Sequence, residues 1–506
     1  MMTPPTAGYY RLPSQVSHIT EAISQIPVKS YLVGGVLRDS ILGTTNPDVD
    51  IVVVASALDV AKKIADLMNG RSFQLDTSRD ICRVLANVSG NEIQIDIASA
   101  QNGISSDIAK RDFTINSLAL DISHVDFNFG IPQFEISKII DEHRGVEDLF
   151  NSLLRMTSDQ VFKEDPLRLL RGTRLAAQYN LSIDKFTETQ IKNSGFLISK
   201  VSSERIRDEF LKLLSLQKST RNLTKMDELG ILTNIIPELE ASRETLQTPN
   251  HHWKVLEHMV QTVGQVENIV IGKQINAGPY PKFALNYVPI TDAHQNYFKQ
   301  NYSDGHNRFT FLKLACLLHD VGKPKTKIVD PEGKTRFFGH AKLGGEIAGS
   351  ILKRLKFSNS GIELVTNQIS NHLRPSQISN QGQNPTPKAI RKYYNDTSGA
   401  SIDILYLNLA DYIAAKGPNL TQTEWIDHCR KINIIAKSES SYKRAVNQAK
   451  LLSGHDIMVG LCLNPGPLIG TLIKYIEEAR LDGLISNKKE ALELIRHRIN
   501  SGEYIA

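Results

Sequence analysis

The fold of this chain is decided by the stretch Tyr31-Leu32-Val33-Gly34-Gly35-Val36-Leu37-Arg38-Asp39, which Asp48-Val49-Asp50 follows closely. The first three residues predict a buried strand, and the glycine pair predicts a tight turn at its end. Such a turn can bring backbone N–H groups up to a triphosphate, and Arg38, one helical turn further on, can grip a phosphate. Two aspartates one residue apart on a strand point the same way and can share a divalent metal ion. The pattern indicates nucleotidyl transfer, although glycine pairs also end ordinary strands.

Further strand patterns follow this stretch. Apolar and β-branched residues predict strands at 50–54, 82–88 and 92–98, the last with isoleucine at every second position. We therefore expect a mixed sheet. Asp96 supplies a third oxygen ligand if its strand lies beside that of Asp50, and clustered carboxylates suit Mg²⁺, a hard cation that binds oxygen.

The periodicity becomes helical after Pro166 and stays helical to the end of the chain. The predicted class is therefore α+β, with a mixed-sheet domain first and an all-α body after it. Two segments interrupt the helical pattern, one from Asn276 to Asn307 and one from Ser376 to Pro387. Both are rich in polar residues and turn formers, so we predict that both are exposed insertions.

Composition places the chain among folded proteins of several domains, with 506 residues, 41% hydrophobic and 22% charged. No apolar run approaches the roughly 20 residues of a membrane-spanning helix, and the N-terminus lacks the order of a secretory signal, so we expect a cytoplasmic protein that does not bind membranes. The four cysteines are far apart, which indicates neither a disulfide framework nor a thiolate zinc site. We predict that they are buried thiols.

The formal net charge of +5 is unevenly distributed. Between Gln160 and Lys225 there are 13 Lys and Arg against 7 Asp and Glu, whereas the rest of the chain is close to neutral. A basic stretch beside a metal-carboxylate motif suits a polyanion such as RNA. On charge alone, a solvated helix face is an equally good interpretation.

Several more motifs follow the opening stretch in a fixed order. They are Lys110-Arg111-Asp112-Phe113-Thr114-Ile115-Asn116, Glu164-Asp165-Pro166-Leu167-Arg168-Leu169-Leu170-Arg171 and Ser203-Glu204-Arg205-Ile206. With them, the chain from Tyr31 to about Leu214 resembles the bacterial class II tRNA nucleotidyltransferases, the CCA-adding enzymes, which are similar to bacterial poly(A) polymerases. The resemblance implies a polymerase-β-like nucleotidyltransferase head. It also implies addition of C and C, with A as an open further step, to the tRNA 3′ end from CTP and ATP without a template.

The resemblance assigns Mg²⁺ to Asp48 and Asp50, with Asp96 as a further catalytic carboxylate. It implies nucleotide contacts by Gly34, Gly35, Arg38, Arg111, Asp112, Asp165, Arg168 and Arg171. Asp165 and Arg168 would select the base, because C and A share an amino donor beside a ring acceptor where U and G present a carbonyl. Taken alone, Asp165 is more simply a helix-capping aspartate followed by surface arginines. The order of the motifs favours the nucleotide contact.

One departure from the family pattern concerns a loop. Members that add all of C, C and A usually carry a flexible loop between the strand of Asp96 and the motif that begins at Lys110, and here only residues 97–111 intervene. Members that lack the loop tend to add two cytidines and leave the A to a separate enzyme. The short connection therefore adds a second hypothesis beside full CCA addition, namely a CC-adding enzyme with a separate A-adding enzyme acting on the same tRNA.

A second set of polar residues is distributed through the helical part: His258, His319, Asp320, His340, His372 and Asp411. The sequence His319-Asp320-Val321-Gly322-Lys323 and the segments 256–258 and 340–346 resemble HD-domain phosphohydrolases. A single histidine is more often structural than a ligand, but the complete set in order implies a metal site. Imidazole ligands suit a transition ion such as Ni²⁺ or Mn²⁺. The resemblance implies a secondary metal-dependent phosphohydrolase activity.

The predicted domains are a catalytic head (1–150), a helical neck for nucleotide selection and RNA binding (151–250), an HD domain with insertions (251–420) and a helical tRNA-contacting tail (421–506). In the tail, residues 453–457 and 464–470 resemble the C-terminal segment of members that carry an HD domain. These turns contact RNA phosphates or simply connect helices, and the second interpretation is slightly favoured.

Three other functions fit part of the pattern. A poly(A) polymerase shares the head motifs, but the complete HD ligand set and the lack of a long basic tail argue against it. An HD phosphohydrolase with an RNA-binding head is a second alternative. A non-catalytic tRNA-binding protein is a third, and the intact Asp48 and Asp50 argue against that one. The sequence does not indicate an oligomeric state.

Overall fold

The computed structural model describes residues 8–44, 48–88, 90–248, 251–276, 278–379, 382–447, 450–481 and 484–501. The chain divides into two compact units, Met1–Pro237 and Glu238–Ala506. Every helix among the described residues is too short or too polar to pass through a lipid bilayer.

The first unit combines strands and helices. Its strands are β1 (Tyr9–Arg11), β2 (Ser30–Val33), β3 (Val49–Val53), β4 (Arg71–Asp76), β5 (Ile81–Val88), β6 (Asn91–Ser99), β7 (Ala119–Asp121), β8 (Asp126–Asn128), β9 (Ile131–Glu135), β10 (Leu153–Leu154) and β11 (Ser182–Ile183). Its helices are α1 (Gln15–Ser24), α2 (Gly35–Ile41), α3 (Ala57–Leu67), α4 (Ile104–Ile108), α5 (Gly145–Phe150), α6 (Val161–Glu164), α7 (Leu167–Gln178), α8 (Lys185–Ser194), α9 (Ser203–Leu214), α10 (Ser219–Glu228) and α11 (Ile231–Ile235).

A six-stranded sheet with the order β4-β5-β6-β3-β2-β7 forms the centre of this unit. Strands β3 and β6 are parallel, while the other neighbours in the sheet are antiparallel. This is the predicted mixed sheet, and the three strands predicted after the glycine pair are confirmed to within a residue or two. Strand β4 was not predicted: it lies at the edge of the sheet and is largely exposed, and only two apolar residues, Phe73 and Leu75, alternate along it.

The sheet places its polar and apolar residues as the alternation predicts. On β3, Val49 and Ile51 are each 1% exposed, whereas Asp50 between them is only partly buried. Strands β1, β9 and β8 form a separate antiparallel sheet. Helices then follow from α5 onward, with α7 packed against α9 and α10.

The second unit is mostly helical. Its helices are α12 (Glu240–Arg243), α13 (Val255–Ile271), α14 (Asp292–Lys299), α15 (Arg308–Leu318), α16 (Lys323–Thr326), α17 (His340–Arg354), α18 (Asn359–Asn371), α19 (Arg374–Gln377), α20 (Pro387–Asp396), α21 (Ser401–Lys416), α22 (Gln422–Lys437), α23 (Glu439–Asn447), α24 (Gly454–Leu461), α25 (Pro467–Leu481) and α26 (Lys488–Asn500). Its strands are β12 (Asn301–Ser303), β13 (His306–Asn307), β14 (Lys327–Val329) and β15 (Thr335–Phe337).

The centre of this unit is formed by α13, which packs against α21 and α15, and by the pair α17 and α18. Strands β12 and β13 form one antiparallel hairpin and β14 and β15 another, so the all-α prediction for this part is wrong at these two places. Both hairpins are only two or three residues long on each strand, which is too short for a period of two to appear in the sequence.

The segment from Asn276 to Asn307 is not simply an exposed insertion. Within its described residues, Phe298 is 1% exposed and packs edge-on against Tyr406, and the Trp425 indole N–H donates to the Ala284 carbonyl. The segment is mostly polar, but a few of its large apolar residues pack into the core, which explains why the prediction was wrong. In the second segment, residues 382–384 and 386–387 are exposed, and residues 380 and 381 lie outside the described residues.

The cysteines mostly follow the prediction. Cys82, Cys316 and Cys429 are buried free thiols, but Cys462 is exposed. Cys462 ends α24 in a left-handed conformation, with φ at 50°. Cys462 lies in a turn at the surface, so the prediction that all four cysteines are buried is wrong for this residue.

Candidate functional sites

The carboxylates of the first site lie on neighbouring strands. Asp50 on β3 is directly opposite Asp96 on the parallel strand β6, as the sequence predicted. Burial raises the pKa of Asp50, and the nearby Asp96 and Asp48 push it the same way against Arg111 and Arg171. A carboxylate in such a group is stabilised in its charged form by a cation. The placement therefore fits a divalent metal ion.

Asp96 already has a cationic partner within the protein. Arg83 on β5 is its cross-strand neighbour, and the guanidinium Nε and Nη2 donate to the two carboxylate oxygens at 2.7 and 2.8 Å. Among the described residues, the carboxylates of this site do not meet as a set of three within 4.8 Å. Mg²⁺ commonly binds one or two carboxylates together with substrate phosphates, so Asp48 and Asp50 are the pair that fits it best.

The glycine turn lies directly beside an arginine of the later motif. Gly34 has φ at 67°, and a Cβ placed there would lie 2.6 Å from Arg111 Nη1. Its N–H donates to the Leu118 carbonyl at 2.9 Å, so donors for a phosphate must come from residues after Gly34. Gly35 begins α2. Glycine is required at position 34 both by the backbone conformation and by this close approach.

Arg38 is placed differently from the prediction. It is buried, and its guanidinium donates to Asp39, to Asn116 and to the Tyr179 hydroxyl. The ring of Tyr179 also lies 4.3 Å from the guanidinium carbon. Through these partners Arg38 joins α2 to the 110–116 motif and to the end of α7, so it stabilises their packing. The predicted phosphate contact of Arg38 finds no support in this arrangement.

Asp112 belongs to the same buried network. One of its oxygens accepts hydrogen bonds from the Phe113 N–H at 2.8 Å and the Asn116 amide at 2.9 Å, and the other pairs with Arg171 Nε at 2.8 Å. Although burial opposes it, Arg171 and these hydrogen bonds hold the pKa of Asp112 below its ordinary value. Asp112 therefore fixes the position of Arg171, which is the more exposed member of the pair.

The proposed base-selecting residues lie close together at the start of α7. One Asp165 oxygen accepts a bond from the Leu167 N–H at 3.2 Å, and the other pairs with Arg205 at 2.7 Å. Arg168 donates to the Lys110 carbonyl at 2.9 Å and pairs with Glu164 at 3.3 Å. Asp165 therefore does cap the helix, as the simpler interpretation predicts. Both side chains remain partly exposed, at 25% and 19%.

The second site gathers all six predicted residues within the second unit. His258 and His319 approach each other with their Nε2 atoms 3.2 Å apart. Asp411 Oδ1 lies 3.0 Å from the first of these atoms and 3.6 Å from the second. Asp320 lies between His319 on one side and His340 and His372 on the other. Its Oδ2 is 3.2 Å from His319 Nε2. Its Oδ1 is 3.4 Å from His340 Nε2 and 3.9 Å from His372 Nε2.

Backbone carbonyls orient three of the imidazoles. The Nδ1 atoms of His319, His340 and His372 lie 2.8, 2.6 and 2.7 Å from the carbonyl oxygens three residues earlier in the chain. A neutral imidazole that donates from Nδ1 presents the lone pair of Nε2, which is the ligand form. All three Nε2 atoms point into the cluster. The helix ends thus provide the orientation that a metal ion needs.

The chemistry of the cluster fits a divalent metal ion. Within the described residues, Asp320 Oδ1 and His340 Nε2 are buried and have no hydrogen-bond partner, whereas Asp320 Oδ2 pairs with Lys323. Burial lowers the pKa of His372 to about 4 and also lowers that of His258, which favours the neutral imidazole that can bind a metal ion. Although burial opposes it, Asp320 and Asp411 raise the pKa of His319 to about 10, which shows that the carboxylates favour a cation here. The nitrogen-rich donor set suits a transition ion.

A cavity of about 350 Å³ opens onto this cluster. Its lining includes Asp320, His340, His372 and Asp411 together with Thr248, His251, Lys323, Leu373 and residues 334–338. Lys323 Nζ lies 2.5 Å from Asp320 Oδ2 and also donates to Gln247 at 2.6 Å. The site therefore has a path to solvent and cations beside its carboxylates.

Several residues near these sites were not predicted from the sequence. Arg83 and Tyr179 lie outside every motif, and only the strand pairing and the packing of α7 bring them to the site. Asn116 stands inside a motif, and its position four residues after Asp112 was a usable signal. The sequence of the hairpin β14–β15 contains no motif that would predict a binding element.

The basic stretch of the first unit also carries exposed aromatic side chains. Phe186 and Phe196 are 52% and 63% exposed, and the neighbouring Lys185, Lys192 and Lys200 are exposed as well. Alternating cations and exposed rings are typical of surfaces that bind single-stranded RNA. This alternation of lysines and phenylalanines can be read from the sequence and would have been a signal for RNA binding.

Comparisons with known proteins match domains to the regions that carry the two candidate sites. Residues 30–155 match the poly A polymerase head domain, residues 180–242 match a probable RNA- and SrmB-binding site of polymerase A, and residues 307–416 match the HD domain. The A-adding tRNA nucleotidyltransferase of Deinococcus radiodurans is 28% identical, with 93% of this chain and 95% of the relative covered. The chain thus carries a poly A polymerase head domain and an HD domain, and it is similar over nearly its whole length to this tRNA nucleotidyltransferase.

Two further known proteins match nearly the whole chain. The CC-adding tRNA nucleotidyltransferase of Thermus thermophilus is 27% identical, with 92% of each chain covered. The structure of the Thermotoga maritima CCA-adding enzyme complexed with tRNA has 19% identity and a TM-score of 0.57, and it covers 98% of this chain and 100% of that one. The matched head domain and these relatives identify the chain as an enzyme of the nucleotidyltransferase type that also carries an HD domain.

Proposed function

We propose that this chain is a tRNA nucleotidyltransferase that joins CMP to the tRNA 3′ end from CTP without a nucleic-acid template. The observation that carries the proposal is the Asp48 and Asp50 pair beside the Gly34 turn and Arg111, in a chain whose near-full-length relatives are named tRNA nucleotidyltransferases. Bacterial tRNA maturation would place its action in the cytoplasm.

The reaction joins the tRNA 3′ oxygen to the α-phosphorus of CTP and breaks the bond to pyrophosphate, which leaves. Asp48 and Asp50 would hold Mg²⁺, which when bound neutralises triphosphate charge and favours deprotonation of the attacking hydroxyl. Arg111 lies against Gly34 at the turn and provides positive charge beside Asp50. Arg171 is held in place by its ion pair with Asp112, which in turn accepts a hydrogen bond from the Asn116 amide.

Base selection is assigned to Asp165 and Arg168. Asp165 offers a carboxylate acceptor for an exocyclic amino group, and Arg168 offers donors for a ring nitrogen. Arg205 pairs with Asp165 at 2.7 Å and so orients this carboxylate. A pocket of this kind accepts C and A and rejects U and G.

The partner is proposed to be tRNA. The exposed Phe186 and Phe196 can stack on bases, while Lys185, Lys192 and Lys200 can contact phosphates. A poly(A) polymerase would use the same surface. The near-full-length relatives named tRNA nucleotidyltransferases favour tRNA as the substrate.

We propose further that addition stops after two cytidines. Strand β6 ends at Ser99, and only a short connection that contains α4 leads to Arg111, so no long flexible loop intervenes. A second candidate is addition of the terminal A alone, which the A-adding relative from Deinococcus radiodurans favours. In either case a separate enzyme would supply the missing step on the same tRNA.

The deciding experiment offers two tRNAs, one that ends before CCA and one that ends in CC, each with CTP alone, ATP alone and both. Sequencing of the 3′ ends then gives the product. Our proposal expects CC on the first tRNA and no change to the second. A product that ends in CCA would refute the restricted activity, and extension of the second tRNA alone would establish the A-adding candidate. Untemplated A-tailing of arbitrary RNA would establish a poly(A) polymerase.

We also propose that the His/Asp cluster of the second unit is a metal-dependent phosphohydrolase site. His258, His319, Asp320 and Asp411 would hold a transition ion such as Ni²⁺ or Mn²⁺, with His340 and His372 around Asp320 Oδ1. A nucleoside 2′,3′-cyclic phosphate offered with Ni²⁺, Mn²⁺ or Mg²⁺ tests this. Turnover that disappears in His319→Ala supports the proposal, and no turnover with any of these ions refutes it.

A further inference from the structure

We infer that the hairpin β14–β15 and the residue that follows it form a substrate arm, which seats a nucleoside phosphate against the His/Asp cluster. The inference rests on the proposed phosphohydrolase activity of that cluster. It goes beyond that activity because it assigns the phosphate and the base of the ligand to named residues outside the cluster.

The arm is joined directly to the cluster. The last residue of β15, Phe337, has its carbonyl oxygen 2.6 Å from His340 Nδ1, so the arm orients a member of the cluster. Residues 334–338 also line the cavity that opens onto Asp320 and Asp411. The hairpin therefore forms part of the wall of the same cavity that the proposed metal ligands line.

The polar residues of this wall are cationic. Lys334 is exposed and Arg336 is 40% exposed, and both line the cavity. Asp330 pairs with Arg336 Nε at 2.9 Å, which fixes the planar guanidinium within the hairpin. Lys323 adds a buried cation beside Asp320. Cations on the wall of a cavity that leads to metal ligands suit the oxygen atoms of a phosphate ester.

The arm also offers an aromatic surface. Phe338 lines the cavity and is 68% exposed, so its ring is accessible for stacking on a ligand in the cavity. The Arg336 guanidinium carbon lies 5.9 Å from the centre of this ring. A phosphate-binding group next to an exposed ring matches a ligand that carries a phosphate and a flat base. This is why the ligand is assigned as a nucleoside phosphate rather than phosphate alone.

Calorimetric titration of the full chain loaded with Ni²⁺ tests the arm. The two probes are adenosine 3′-monophosphate and inorganic phosphate. His319→Ala identifies the heat that comes from the cluster, because the nucleotide site of the first unit is unchanged in it. The matched controls are Lys327→Ala, which removes the same charge from the other strand of the hairpin, and Phe129→Ala, which removes a fully exposed ring from the first unit.

We expect Lys334→Ala and Arg336→Ala to weaken both probes by about tenfold. Phe338→Ala should weaken the nucleotide by about tenfold through lost stacking and leave inorganic phosphate within about twofold. Nickel content, measured by mass spectrometry, should stay the same in all three variants. Both controls should bind as the unchanged protein does.

Different results would overturn different claims. If Phe338→Ala changes both probes equally or neither, or if the cation variants behave like Lys327→Ala, the arm is not a nucleoside phosphate site. That result would leave the hydrolase proposal intact as long as cyclic phosphate turnover still depends on His319. If the unchanged protein shows no turnover and no heat that depends on His319, the hydrolase proposal fails together with the arm.

Discussion

Single side chains around the carboxylates of the first unit contribute in two different ways. Asp50 is the partly buried carboxylate whose pKa is raised by loss of hydration and by the other acids, so its charge depends on nearby cations. Arg38 and Asp112 instead pair with other protein groups and hold the site together. Substitutions in these two groups should therefore have different consequences for activity and for stability.

The first prediction concerns Asp50→Asn. Loss of this carboxylate should lower CMP incorporation into tRNA by at least about 100-fold, because a bound metal ion contributes several kcal/mol to the transition state. The melting temperature should stay the same or rise slightly, since a like-charge contact is removed. Asp59→Asn on α3 makes the same change at an exposed position and should leave incorporation unchanged. Full incorporation by Asp50→Asn would contradict the proposed function.

The second prediction concerns Asn116→Ala. Asn116 accepts from Arg38 and donates to Asp112, so its removal leaves buried polar groups without these partners. We expect a loss of about 1–3 kcal/mol in the free energy of unfolding of the first unit, measured with urea. Incorporation should fall as well, because Arg171 loses its support. Asn128→Ala, at an exposed position on β8, is the control, and equal stability of the two variants would show that the network is not a brace.

At the scale of elements, the second site depends on how closely its helices approach. Gly322 begins the short α16, and a Cβ placed there would lie 2.4 Å from the His340 carbonyl oxygen and 2.7 Å from the Gly344 N–H nitrogen. Both of these atoms belong to the backbone and cannot rotate away. The start of α17, which carries His340, is therefore fixed by the lack of a side chain at position 322.

The third prediction follows from this approach. Gly322→Ala should displace α17, lower the stability of the second unit by about 1–3 kcal/mol and reduce the nickel that it retains. Gly470→Ala on α25 is the matched control, because nothing lies within 4 Å of a Cβ there. That control should be neutral or slightly stabilising, since alanine favours a helix. Unchanged nickel binding in Gly322→Ala would show that the helices have room to move.

The C-terminal motif is also explained at this scale. Ser453 and Asp456 form a capping box at the start of α24, and residues 464–466 connect α24 to α25. The residues of this motif therefore stabilise the start of a helix, whether or not they contact RNA. Its contact with tRNA stays a prediction.

At the scale of the whole molecule, the two candidate sites lie in different units and share no residue. The carboxylate pair and its arginines belong to the first unit, and all six residues of the His/Asp cluster belong to the second. Their donors also differ, since oxygen ligands suit Mg²⁺ and imidazole ligands suit transition ions.

The fourth prediction is that the two activities separate. His319→Ala should abolish hydrolysis of the cyclic phosphate and leave CMP incorporation within about twofold, while Asp50→Asn should do the reverse. Removal of metal with EDTA should stop both activities, and Mg²⁺ should restore incorporation far better than hydrolysis. Loss of both activities in one of these variants, with normal melting of both units, would contradict separate sites.

The sequence by itself determined the chemistry of both sites and the class of the fold. Alternation along β3 and β6 is a local property, so Asp50 and Asp96 could be placed on strands, and the six residues of the cluster could be recognised as candidate ligands through their resemblance to HD domains. Long periodic segments indicate their own secondary structure because each residue depends mainly on its neighbours along the chain. The small hairpins and the buried anchors of the 276–307 segment are too short or too sparse to give such a signal.

Only the tertiary structure decided which charged groups meet. Arg83 reaches Asp96 through strand pairing, Arg38 is enclosed by Asn116 and Tyr179, and the hairpin β14–β15 comes to lie beside the cluster. These contacts join residues 13 to 141 positions apart in the chain. Strand order and helix packing bring such residues together, and neither is encoded in local periodicity. The pairing of each carboxylate or guanidinium therefore had to come from the folded molecule.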